Sequence, residues 1–132
     1  MIIFRENVYS RRDERVEWDK DILHVVIEKS SAFERDYNDL SIKSLIPRIR
    51  LLIKDIKNNF IYSDGPNGGD THYLSDFSKP GRFLIYSKSI SVVDRLNYAI
   101  YEPDEEGVSK IVLMRCKGHG LLGRNGYSEL ED

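Results

Sequence analysis

The sequence predicts an α+β domain, two amino-terminal helices packed on a small and mainly antiparallel sheet. Three observations predict it. An apolar run rich in β-branched residues, Ile22 to Glu28, comes first. Two stretches with helical apolar spacing follow, and the carboxy-terminal half then alternates apolar with polar residues as half-buried strands do. One strand, two helices and a meander of three strands make a layered α+β arrangement.

The 132 residues suffice for one domain with a real core. Hydrophobic residues make up 40% and charged residues 32%, which describes a soluble chain with a densely charged surface. No apolar run approaches the about 18 residues of a membrane span, and nothing resembles a signal peptide. Cys116 is the single cysteine, so no intramolecular disulfide can form and a reducing cytoplasm is the natural setting. A net charge of −2 and a pI near 5.9 weigh mildly against nucleic-acid binding, although a local field, not the sum, steers a ligand.

Residues 1–21 read as an amino-terminal arm. Ile2-Ile3-Phe4 can add an edge strand, and the mixed-sign stretch from Arg11 to Asp21 reads as a solvated turn pinned by Trp18. Ile22 to Glu28 is the first core strand, with His24 expected as a satisfied buried histidine. Ser31 and Glu34 have capping-box spacing, and Phe33, Tyr37 and Leu40 give a short amphipathic helix ending near Leu40. The strongest helix opens at Ser44 or Leu45, which leaves Pro47 in the first turn, and ends near Asn58-Asn59. Its stripe is Leu45, Ile49, Leu52, Ile53, Ile56 and Phe60.

Ser63 to Gly81 is the longest irregular stretch, and loops of that length are usually functional or disordered. Gly65, Gly68 and Gly69 are a weak phosphate-loop signal, because no Lys-Ser/Thr pair follows them. Asp70, His72 and Asp76 are its titratable residues. Strands are expected at Phe83–Ile90, Arg95–Tyr101 and Ile111–Lys117, with Pro103 to Gly107 supplying the last turn. Leu96, Tyr98 and Ile100 share one face of the middle strand. In the last strand Val112, Met114 and Cys116 oppose Ile111, Leu113 and Arg115. The apolar parity is expected to pack on the helices. The other face is expected to be open, with Arg95, Asn97, Arg115 and Lys117 on it and His119 just beyond. Residues 121–132 read as a flexible tail.

The segments Tyr86-Ser-Lys-Ser-Ile90, Arg95-Leu-Asn-Tyr98 and Cys116-Lys-Gly-His119 occur in an order and spacing that resembles YoeB-type toxins of the RelE superfamily. Ile49 to Asp55 resembles the second helix of that family, and the similarity spans roughly residues 22–120. The resemblance implies a RelE-like toxin domain that enters the ribosome, cleaves mRNA there, and is silenced by a cognate antitoxin. It implies no cofactor and no metal. By the same resemblance, Arg95 stabilises the scissile phosphate and His119 is the general acid. Lys88 takes the place of one arginine of a pair whose second member is here Ser89. His72 stands at the position of the general base, with Asp70 the nearest carboxylate, and Gly120 replaces a final tyrosine.

The chemistry asks for such groups. Cutting RNA by its own 2′-OH needs a base for that proton, an acid for the 5′-oxygen, and cations for the charge growing on phosphorus oxygens. Arginine pairs two phosphate oxygens through its planar fork, and imidazole, with an ordinary pKa of about 6.5, suits either proton role. Lys88, Arg115, Lys117 and Arg82 are the candidate RNA-binding cations. Tyr86 is either a cross-strand packing residue or a platform on which a base stacks. Cys116-x-x-His119 resembles half a zinc site, but no second pair stands at ligand spacing. Two rival functions share this scaffold, a ParE-like protein that inhibits by contact and an inactive relic that only binds its antitoxin.

Overall fold

The structure, a computed structural model, describes residues 18–74, 78–79 and 81–118. The expected strand at Ile2–Phe4, the arm before Trp18, Asp76, His119 and the tail lie outside them. The described chain runs β1 (His24–Lys29), α1 (Ser31–Tyr37), α2 (Ile46–Lys57), β2 (Thr71–Tyr73), β3 (Phe83–Ser89), β4 (Arg95–Tyr101) and β5 (Val108–Arg115). Short 3-10 turns lie at Trp18–Asp21 and Leu40–Leu45.

The five strands form one mixed sheet in the order β1-β5-β4-β3-β2. The meander β2-β3-β4-β5 is antiparallel, and β1 joins β5 in parallel, His24 facing Val108 and Lys29 facing Leu113. α1 and α2 carry the chain from β1 at one edge of the sheet to β2 at the other, and the meander returns it to lay β5 parallel beside β1. The α+β class expected from the sequence is therefore observed.

The helix boundaries differ slightly from expectation. Ser30, not Ser31, caps α1: its hydroxyl accepts from Phe33 N at 3.0 Å. The helix stops at Tyr37 rather than Leu40, because Asp39 starts a new turn by accepting from Ser41 N at 2.8 Å. The 3-10 turn then delays α2 to Ile46, with Pro47 in its first turn as its missing N–H requires. Ile49, Leu52 and Ile56 are fully buried against Leu84, Tyr86, Leu96, Tyr98, Ile100, Ile111 and Leu113, which makes the main core. Burial contributes about 1.5–3 kcal/mol for each such side chain.

Three sheet expectations need correction. Thr71–Tyr73, expected as loop, is a short edge strand on β3, too brief to show a period in the sequence. His24 is exposed rather than buried, since β1 lies at the sheet edge and only Val25 and Ile27 face the core. In β5 the parity is reversed. Ile111 and Leu113 face the helices, whereas Val112 and Met114 join Phe83, Ile85 and Ala99 in a second buried cluster on the reverse face. Both parities of this strand are apolar, so alternation alone cannot orient it; the pairing of Ala99 with Val112 does. The reverse face is thus apolar and buried at its centre, not open throughout.

Candidate functional site

The polar end of the reverse face is built by β2, β3 and β4. His72 faces Ser87, and Ser87 faces Asn97, so these three side chains share that face, with Arg95 two residues before Asn97. The half-buried guanidinium of Arg95 is fixed by three bonds. Its Nε donates to Ser87 Oγ at 2.6 Å, and Nη2 donates to Asp70 O at 2.8 Å and Ser87 O at 3.1 Å. All three acceptors are uncharged. The positive charge is positioned without being neutralised, and burial lowers the guanidinium's pKa from its ordinary value.

Beside it, His72 Nε2 lies 3.1 Å from Asp70 Oδ2, and the two side chains are 33% and 42% exposed, open enough to meet a ligand. Asp70 is held through its backbone, its carbonyl also accepting from Ser89 N at 3.1 Å. Of the four expected catalytic residues, Arg95, His72 and Asp70 are brought together. His119 lies outside the described residues, but its neighbour Gly118 is clamped to this corner. Gly118 N donates to Asp94 Oδ1 at 2.7 Å, and Arg95 N donates to Gly118 O at 3.0 Å. Asp94 thus holds this turn, and it also accepts from Ser91 Oγ.

The expected RNA-binding residues fare differently. Lys88 is fully buried, a correction to its reading as a surface cation. Its Nζ donates to Phe60 O, Ser63 O and Thr71 Oγ1, stapling both ends of the 60–71 loop to β3. Burial pulls its pKa down to about 8, partly opposed by Asp55 and Asp64. Tyr86 is also fully buried, packed edge-on to Tyr62 and stacked on Tyr98, so packing rather than base stacking is its role. Arg115 follows the reversed parity of β5 to the helix side. There its Nε and Nη2 pair with Asp36 at 2.7 and 3.1 Å, while Cys116 N donates to the same carboxylate at 3.1 Å. Burial, with Asp36 adding to it, pushes the Cys116 thiol up to about 12.

Lys117 is bound to Asp39 at 2.6 Å. That hydrogen bond holds the Asp39 carboxyl well below the usual range and raises Lys117. Arg82 is exposed and lies 5.8 Å from the Phe83 ring centroid, at the end of β3 far from Ser89 and roughly 20 Å from Arg95.

The glycine-rich loop proves to be scaffold. The buried Asp55 carboxylate accepts from Asn67 N at 3.2 Å and from Asn67 Nδ2, and Arg48 Nη1 donates to Asn67 O. Gly65 has φ of 73°, and a Cβ there would lie 2.5 Å from Asp55 Oδ2, so glycine is needed for backbone shape and close packing. Sequence reasoning missed Ser87 and Asp55. Asp55 carried a signal: it stands three residues after Leu52, on the buried stripe, where a carboxylate needs partners.

Among the described residues no group of three or more His, Cys, Asp and Glu is arranged to hold a metal, and no helix is long and apolar enough to cross a membrane. Comparison of the chain with protein-family models, curated proteins and solved structures yields no match.

Proposed function

We propose that this chain is a RelE-like endoribonuclease toxin of the YoeB type, cleaving mRNA at the ribosome and silenced by a cognate antitoxin. The observation that carries the reading is Arg95: a half-buried guanidinium held by uncharged acceptors beside a half-exposed Asp70–His72 pair. A cation fixed and left unneutralised suits a phosphodiester whose oxygens gain charge during cleavage.

In the tautomer that donates Nε2–H to Asp70, the His72 lone pair lies on Nδ1, which takes the 2′-OH proton as that oxygen attacks phosphorus. Asp70 orients the ring and stabilises the imidazolium that forms. Arg95 stabilises the phosphorane oxygens. His119, one residue beyond the clamped Gly118, gives the proton to the departing 5′-oxygen. Ser89 and Gly120 replace an arginine and a tyrosine of the family pattern, so more of the charge stabilisation falls on Arg95.

Induction of the chain alone is expected to arrest growth and to produce mRNA breaks mapped by primer extension near start codons. His119→Ala and Arg95→Ala are each expected to abolish both. Toxicity that persists in these variants without mRNA breaks would sink the nuclease reading.

A second reading, inhibition of a target by contact without RNA chemistry, is favoured by one observation. Lys88, Arg115 and Lys117 are all engaged within the chain, which leaves fewer cations for RNA than the sequence suggested. Persistent toxicity in the Arg95→Ala and His119→Ala variants is the outcome it expects.

A further inference from the structure

On the helix side of the sheet, at the β1 edge, a groove of about 580 Å³ runs between β1, α1 and α2. Its floor is apolar, made by Ile27, Phe33 and Ile53 with the ring of Tyr37. Its rim is cationic: Lys29 at the end of β1, and Arg50, Lys54 and Lys57 along α2. Among the described residues none of these four is ion-paired with a carboxylate. In a chain whose formal charge is −2, four exposed cations gathered around an apolar trough form a local field opposite in sign to the whole.

We propose that this groove docks an acidic amphipathic peptide segment of a partner protein, apolar side chains on the floor and carboxylates at the rim. The spacing of the rim favours it. Arg50, Lys54 and Lys57 are separated by four and three residues, so they line one side of α2, with Ile53 between them reaching the floor. An apolar side chain seated on the floor thus brings flanking carboxylates within reach of ammonium and guanidinium groups. Single-stranded RNA fits less well, because it needs open aromatic faces for its bases. Phe33 is fully buried, and the Tyr37 ring is stacked on it with centroids 5.6 Å apart. Arg50 Nε donates to the Tyr37 hydroxyl at 3.0 Å, and Lys29 Nζ stands 5.8 Å from its ring centroid.

The groove is also remote from the Arg95 corner. β1 and β2 are the two ends of the sheet order, roughly 19 Å apart at ordinary strand spacing, and the corner lies on the reverse face. An occupant here leaves Asp70, His72 and Arg95 uncovered. The inference therefore does not depend on the nuclease reading.

The test is fluorescence anisotropy of the full chain with a labelled peptide of about twelve residues, Glu and Asp interleaved with Leu and Ile in amphipathic order. Binding is expected to weaken at least about tenfold in the Lys54→Glu/Lys57→Glu variant, and similarly when the peptide's acids become Gln and Asn. Both substituted lysines are exposed, and circular dichroism of the variant verifies that the fold is retained. Absence of wild-type binding, or binding indifferent to the double variant, overturns the proposal. Displacement of the peptide by a uridine-rich RNA oligomer identifies a nucleic-acid surface instead. A chain ending at Gly120 that binds the peptide more tightly identifies the chain's own acidic end, Glu129 to Asp132, as the occupant.

Discussion

Arg95 and Arg115 stand at the same end of one antiparallel pairing, β4 beside β5, and the sequence places both on one open face. Their surroundings separate them. Arg115 meets a carboxylate, and Asp36 takes two of its N–H bonds and a third from the Cys116 backbone. Arg95 meets a hydroxyl and two carbonyls. The first arrangement cancels a charge to hold a helix on a strand. The second holds a charge in place without cancelling it, which structure alone does not require. Position on a strand does not tell an anchoring arginine from a binding one; the charge state of its acceptors does.

The sharpest way to break this comparison is Arg95→Ala. On the proposed nuclease reading, loss of a preorganised cation at a developing anion costs about 3–4 kcal/mol of transition-state stabilisation, so mRNA cleavage should fall about 100- to 1000-fold. The urea midpoint should change far less, since each of its acceptors can be rehydrated at a half-buried site. An equal loss of stability would place Arg95 with Arg115 as a structural residue.

Asp36→Ala should show the reverse pattern. It strands a guanidinium that is 25% exposed and orphans the Cys116 N–H, at an expected cost of about 3 kcal/mol in chemical denaturation. Cleavage per folded molecule should be nearly unchanged. A stable Asp36→Ala protein would show that the docking of α1 does not depend on this ion pair.

Lys88 provides a third case, a buried cation held by neutral acceptors yet closed to ligands. Folded, it releases its proton near pH 8; unfolded, it keeps it to about 10.5. Between those values the unfolded chain binds more protons, so stability should rise with pH, by up to about 3 kcal/mol across the window. Below about pH 8 both states are charged and the slope from this residue vanishes. Urea titrations at pH 7.5 and 9.5 should show that rise in the wild type and lose it in Lys88→Met. The smallest effect belongs to Lys117→Ala, whose exposed pair with Asp39 is screened by water; its melting temperature should match the wild type at moderate salt.

Much of the fold was legible in the sequence because period and turn chemistry act locally. The stripe of Ile49, Leu52 and Ile56 fixes α2, and Pro47 fixes where its first turn lies. The two long antiparallel strands Phe83–Ser89 and Arg95–Tyr101 appear nearly as their alternation indicates. What was not legible depends on partners distant in the chain. β2 has three residues and exists because β3 pairs with it. The orientation of β5 is ambiguous in isolation and is set by register with β4. At the site, alternation put Arg95 and Asn97 on the correct face but could not reveal that Lys88 is swallowed by carbonyls from residues 60 and 63. A lysine bounded by serines reads as exposed until a loop is known to close over it.

The parallel pairing of β1 with β5 has a consequence for how the molecule is made. β1 leaves the ribosome among the first described elements, yet its partner residues, Val108 to Leu113, are among the last. Until they emerge, the strand Val25 to Ile27 can meet the helices that follow it but has no ladder. Closing so long a loop before it is rewarded makes folding slow and late. The Arg95 corner needs Gly118 as well, so assembly of the site is tied to completion of nearly the whole described chain. A nascent fragment, whatever its activity when finished, is inert by topology.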